Sequence, residues 1–171
     1  MSKHSERLNR LYREMIGYFA GDPMRIQHFI KVHSLSRLIG CMEALPDDQL
    51  LILEAAAYVH DIGIKPAEAQ YGTSSGKLQE ELGPAQAEIL LTKCGFSEPE
   101  IRRICYLVGH HHTYTNIDSM DYQILVEADF LVNLYEEEND MASIQTAYQT
   151  IFRTASGKEI CREMFGLIER N

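Results

Sequence analysis

The 171-residue chain carries 25 acidic and 16 basic side chains, a formal net charge of −9, with 45% hydrophobic content. That size and apolar content suit one compact domain over residues 1–171, and the charge argues against a broad electrostatic grip on nucleic acid or an anionic membrane. No run approaches ~20 apolar residues, and the opening MSKHSERLNRLYREM is charged where a secretory signal would be apolar, so a soluble, cytoplasmic protein is expected. Cys41, Cys94, Cys105 and Cys161 are scattered without C-x-x-C spacing and read as reduced, mostly buried thiols.

Helical periodicity runs along nearly the whole chain, and no segment shows convincing two-residue alternation. The predicted class is therefore all-α, with about seven to nine helices. Ser5 is expected to cap a first helix reaching Phe19. Gly21-Asp22-Pro23 closes it and opens a second helix to about Glu43, with Asp22 as N-cap and Pro23 in the first turn. Pro46-Asp47-Asp48 starts a third, apolar enough at Leu50, Leu51, Leu53, Ala56, Ala57 and Val59 to be central and buried. Residues 62–77, holding Gly63, Pro66, Gly72 and Gly76, read as a long loop of the kind that lines binding sites. Gly83-Pro84 interrupts or restarts a helix that runs to Lys93. Ser97 and Glu100 form a capping box for a helix that ends at three histidines. Asp118 is expected to cap a helix over 119–136, and two more, roughly 140–152 and 157–169, follow. The first helix and the last two are amphipathic enough to pack within the monomer or between subunits of a homo-oligomer.

His60 continues the stripe of Leu53, Ala56 and Ala57, so it should point inward, and Asp61 follows at the helix end. Taken alone, this pair is a helix-terminal histidine favoured by the dipole. His28 lies on the second helix among Met24, Val32 and Leu35, and His33 points well away from it. Asp129 shares a face with Leu125, Val126 and Val132, and a carboxylate is seldom buried unless paired or bound to metal. At the triple histidine, His111 extends the face of Ile104, Leu107 and Val108 and is the best inward candidate, with His110 next. Arg102 and Arg103 read as a solvated face, and the run Glu136-Glu137-Glu138-Asn139-Asp140, at a helix end, as an exposed acidic loop.

His28, His60-Asp61 and Asp129, in that order on separate helices, resemble the H…HD…D signature of HD-domain metal-dependent phosphohydrolases. HFIKVHSLSRLIG is similar to the family's first-histidine helix, AAAYVHDIG to its central motif, and VEADFLVNL to the helix of its last aspartate; these segments span residues 24–135. The resemblance implies an HD-like helical bundle with a metal in its core, held by His28, His60, Asp61 and Asp129. Mixed imidazole and carboxylate ligation suits iron, manganese, zinc, cobalt or nickel. Such an ion activates water and neutralises phosphoryl charge, and Asp61 becomes both ligand and candidate general base.

Two-metal members of the superfamily add a histidine where this chain has Gln79, in QEELG, and further histidines that His110 and His111 match. A second ion would therefore need Glu80 or Glu81 in place of that histidine, or a water, together with His110 and His111; otherwise these two histidines contact substrate phosphate or hydrogen-bond a bound water. The central motif reads His60-Asp61-Ile62-Gly63-Ile64-Lys65, with the lysine one position late, and Lys65 is carried over as a catalytic, phosphate-reaching residue. Tyr71 and Tyr114 flank the expected mouth and could stack on a nucleobase. The expected activity is hydrolysis of a phosphate ester or anhydride in a nucleotide or other small phosphorylated metabolite. The alternatives are a two-metal hydrolase of dinucleoside polyphosphates or signalling nucleotides, and a catalytically weak metal or nucleotide sensor.

Overall fold

Helix ends follow the capping chemistry of the sequence at most points. The computed structural model describes residues 3–167, and among these it holds nine helices and no strand. Ser5 lies inside α1 (Lys3–Tyr18), because Lys3 and His4 contain no breaker and the helix extends through them. Asp22 caps α2 (Pro23–Met42), its carboxylate accepting the Arg25 N–H at 3.1 Å, with Pro23 in the first turn where no helical N–H is needed. After Pro46, α3 (Asp47–Val59) begins with Asp47 and Asp48, which complement the helix dipole.

The stretch expected to be a long loop is largely helical. Within it α4 (Ile64–Tyr71) takes Pro66 in its first turn, where the missing N–H costs nothing, and closes on Gly72 at φ +70°. The proline and glycines were helix-end punctuation, and only residues 72–75 remain between α4 and α5 (Gly76–Lys93). Pro84 does not interrupt α5; it sits inside the helix against Gly109, where an added Cβ would meet the proline ring at 3.2 Å.

The capping box at Ser97 and Glu100 opens α6 (Glu98–Val108), with the Glu100 carboxylate accepting the Ser97 N–H at 2.6 Å. Ser119, not Asp118, is the N-cap residue of α7 (Met120–Glu136). Asp118 and Asp121 are instead bound by Arg103, at 2.7 and 2.9 Å, so Arg103 fastens the approach to α7 and is no solvated side chain. Last come α8 (Met141–Thr150) and α9 (Ala155–Phe165); the expected end of the last helix, residues 168 and 169, lies outside the described residues.

The apolar run of α3 becomes the centre of the molecule. Leu53, Ala55, Ala56, Ala57 and Val59 are fully buried, and α1, α2, α6 and α7 pack around them. Three consecutive alanines let those helices come close enough for side chains at the C-terminal end of α3 to meet side chains from α2, α6 and α7. Among the described residues the cysteines are free thiols; Cys94 and Cys161 are buried and Cys41 is exposed.

A second buried acid on α7 ties down the C-terminal helices. The Glu127 carboxylate accepts from Gln123 Nε2 at 2.7 Å, from the N–H groups of Arg153 and Thr154 at 2.6 and 2.9 Å, and from Thr154 Oγ1 at 2.5 Å. Gly157 makes room for it, since a Cβ there would lie 1.9 Å from Glu127 Oε2. A Glu127→Ala protein leaves two peptide N–H groups without their acceptor, and urea denaturation should find it about 3–5 kcal/mol less stable.

Candidate metal centre

The convergence expected at the end of α3 is present. His28 comes from the second turn of α2, His60 caps the C-terminus of α3, Asp61 follows in the next turn, and Asp129 projects from α7. His28 Nε2 lies 3.2 Å from His60 Nε2, 3.3 Å from Asp129 Oδ1 and 3.7 Å from Asp61 Oδ2. His60 Nε2 lies 3.5 Å from Asp129 Oδ1 and 3.7 Å from Asp61 Oδ2.

Hydrogen bonds at the far side of each ring set the tautomers. His60 Nδ1 donates to the Ala57 carbonyl at 3.0 Å, and His28 Nδ1 to Glu136 Oε2 at 2.8 Å. With both Nδ1 atoms facing acceptors, both Nε2 lone pairs aim inward and at each other, an arrangement that needs a positive charge between them. Asp129 Oδ1 is buried and makes no hydrogen bond. Metal–nitrogen bonds of about 2.0–2.1 Å would separate adjacent ligand atoms by roughly 3.0–3.4 Å, close to the spacings seen here. The donor set thus fits a divalent transition ion on distance, tautomer and charge.

In the metal-free protein, protons do that job. Burial alone would lower His28, but Asp129, Asp61 and Glu136 outweigh it and raise its pKa to about 9. Burial would raise Asp61 and Asp129, but the imidazoles of His60, His111 and His28 hold both carboxyls well below the usual range. The His28 contribution to stability is complete below its ordinary 6.5 and is lost as pH climbs through about 9. The carboxylate contribution is present above the ordinary 3.8 and is lost as pH falls through the depressed values. Metal binding needs neutral imidazoles, so the gap in thermal midpoint between metal-loaded and metal-free protein should widen as pH rises from 6.5 to 9, which a melting series at fixed free Zn²⁺ would measure.

A second group adjoins the first through Asp61. His28, His60 and Asp61 each place a donor atom within 4.8 Å of the others, and so do Asp61, His111 and His112. Asp61 Oδ2 faces the first group, while Oδ1 accepts from His111 Nε2 at 2.9 Å and lies 3.8 Å from His112 Nε2. His111 also donates from Nδ1 to the Val108 carbonyl at 2.8 Å. With acceptors on both sides its pKa is raised, against the lowering effect of burial. His112 is shifted the other way, first by burial and then by the neighbouring His111 charge. It faces Gln79 Oε1 at 3.0 Å, and Gln79 is oriented by donating to the Ser74 carbonyl at 2.8 Å.

The expected partner histidines at this terminus were His110 and His111; the structure brings in His111 and His112. His110 turns outward, stacking on Tyr106 with ring centroids 4.1 Å apart and donating to the Tyr106 carbonyl. The helical face cannot be extrapolated here because α6 ends at Val108 and the histidines follow in turns. Glu80 accepts from the His112 N–H and Thr113 Oγ1, both at 3.0 Å, and so holds the loop that carries His112.

Lys65 stays outside both groups. Its amine donates to the Tyr18 carbonyl at 2.7 Å and lies over the Tyr18 ring, completing the C-terminus of α1. The residue inserted before it, Ile64, starts α4 and directs the lysine there. A Lys65→Met protein should keep wild-type metal content and turnover and lose about 1 kcal/mol of stability, measured by elemental analysis, steady-state assay and melting. Tyr114 packs edge-on to Phe130 at 5.1 Å, and burial together with the charges of Asp129, Glu80 and Asp61 pushes its pKa up to about 12. Tyr71 is half-exposed at the end of α4. Glu136, which engages His28, was hidden in an apparently solvated acidic run; its spacing of two helical turns from Asp129 was the available signal.

Comparison with protein-family models and with curated proteins finds no match. Among solved structures, a predicted HD superfamily hydrolase from an uncultured Thermotogales bacterium superposes with a TM-score of 0.63 at 24% sequence identity, covering 95% of this chain and 84% of that one. This chain shares the fold of that protein. At that identity the likeness establishes the fold, and the chemistry rests on the side chains themselves. Among the described residues the fold is all-α, carries two overlapping His/Asp groups able to hold metal, and has no helix long and apolar enough to cross a membrane.

Proposed function

We propose that this protein is an HD-type metal-dependent phosphohydrolase that cleaves a phosphate ester or anhydride in a nucleotide or other small phosphorylated metabolite. The observation that carries the reading is the pair of opposed Nε2 lone pairs beside the orphaned oxygen of Asp129. His28, His60, Asp61 and Asp129 would hold the ion, with iron, manganese, zinc, cobalt and nickel all compatible with the donor types. When bound, it supplies Lewis-acid activation of water and neutralises charge on a phosphoryl oxygen. Asp61 keeps one oxygen toward the ion site and accepts the His111 Nε2–H on the other, so the imidazole holds the carboxylate ionised, as a ligand and candidate general base must be. His111 and His112 line the site beside Asp61, and an incoming phosphate oxygen would compete with Asp61 and Gln79 for their Nε2–H groups. Tyr114, close enough to feel the site's charges, would border the organic part of the substrate.

The overlapping group of Asp61, His111 and His112 supports a second reading with two ions. We favour one ion, because the His111 and His112 Nε2 atoms already face acceptors and so serve as donors. The test is a panel of nucleoside monophosphates, cyclic nucleotides, dinucleoside polyphosphates and sugar phosphates, assayed with Mn²⁺, Fe²⁺, Co²⁺ or Ni²⁺. Metal-dependent phosphate release that disappears in His60→Ala would support the hydrolase. Tight nucleotide binding without turnover by a fully loaded protein would replace it with a sensor.

A further inference from the structure

The imidazoles of the cluster are not supported alike. His60 and His111 lie at helix ends, and each donates from Nδ1 to a carbonyl three residues back, at Ala57 and Val108. Both of those acceptors are neutral. His28 sits inside α2, in its second turn, where the nearby carbonyls are taken by the helical ladder, so its Nδ1 needs an acceptor from elsewhere. The last residue of α7 provides it. Asp129 and Glu136 are seven residues apart on one edge of that helix, so α7 reaches the ring at both nitrogens, with Asp129 Oδ1 3.3 Å from Nε2 and Glu136 Oε2 2.8 Å from Nδ1. The other Glu136 oxygen is held by Lys31 Nζ at 2.5 Å, and Lys31 is one turn along α2 from His28.

We propose that Glu136, steadied by Lys31, is a positioning residue that sets how tightly His28 holds the ion. This rests on the metal-dependent reading above. An anionic acceptor at Nδ1 locks the Nε2 lone pair inward and makes the ring a stronger electron donor than a carbonyl acceptor would. Lys31 keeps the carboxylate from swinging into solvent, which matters because Glu136 sits at the protein's edge with 27% of its side chain exposed. Of the three imidazoles, His28 is then the one whose donor strength depends on a charged pair at the surface.

The experiment measures Co²⁺ affinity by competition with a chromogenic chelator on folded wild-type, Glu136→Ala and Glu136→Gln proteins. The expected result is roughly a 10–100-fold loss in Glu136→Ala and a clearly smaller loss in Glu136→Gln, whose amide oxygen still accepts the Nδ1–H without the charge. A Glu136→Ala protein within about threefold of wild type overturns the inference, and so does a Glu136→Gln protein no better than Glu136→Ala. Wild-type protein that binds no Co²⁺ overturns the metal reading together with this one, whereas wild-type binding with an indifferent Glu136→Ala overturns this one alone.

Discussion

An Asp129→Asn protein should lose at least about a hundredfold in divalent-metal affinity and, with it, metal-dependent turnover. The substitution keeps the volume and removes only the charge, so packing on α7 is preserved. What changes is the atom that sits 3.3 and 3.5 Å from the two inward Nε2 atoms and has no other partner. An amide there offers either a weakly basic oxygen or an N–H group, and neither balances a cation between two imidazoles. The metal-free protein should suffer too, by about 3 kcal/mol near pH 6, because a protonated His28 would be left in a buried site without the counter-charge at its Nε2. Elemental analysis of folded samples and thermal melts at pH 6 read both effects. Wild-type metal content in Asp129→Asn would remove this carboxylate from the site.

The second large effect belongs to Gly63, two residues after Asp61. A Cβ at Gly63 would come within 2.5 Å of the Gln79 carbonyl oxygen, 2.9 Å of Gln79 Cα and 2.9 Å of the Gly83 N. These are backbone atoms of α5, so no side-chain rotation relieves the contact and the helix itself must move. Nor can α5 retreat freely: a Cβ at Gly83 would lie 2.7 Å from Val108 on α6. Gly63→Ala should therefore cost about 3 kcal/mol and lower kcat as well, since Gln79 orients His112 and the same displacement reaches Asp61. Gly17→Ala is the control, in α1 with nothing within 4 Å of its added Cβ, and should be neutral or slightly stabilising. Equal urea midpoints for the two variants would contradict the tight crossing.

The sequence was most informative where chemistry is local. Asp22-Pro23, Pro46-Asp47-Asp48 and the Ser97–Glu100 box start helices because a cap needs only residues within one turn of it. His28, His60-Asp61 and Asp129 stood out as a set through their resemblance to the H…HD…D signature; the apolar faces that bear His60 and Asp129 said only that each should point into a core. Legibility failed where a residue's partner is distant. Nothing near Arg103 in sequence announces Asp118 and Asp121, and nothing near Glu136 announces His28. It failed again where periodicity stops, so that leaving α6 at Val108 exchanged the expected His110 for His112. Prolines and glycines misled at 62–77 because the same residues that break helices also begin and end short ones.

Helix α7 carries buried acids on two faces, Asp129 toward the histidines and Glu127 toward the peptide groups ahead of α9. The C-terminal helices, which contain none of the motif residues, thereby act as a buttress for the strut that presents Asp129. A chain shortened after α7 would retain every motif residue and still lose the support that keeps that strut in place.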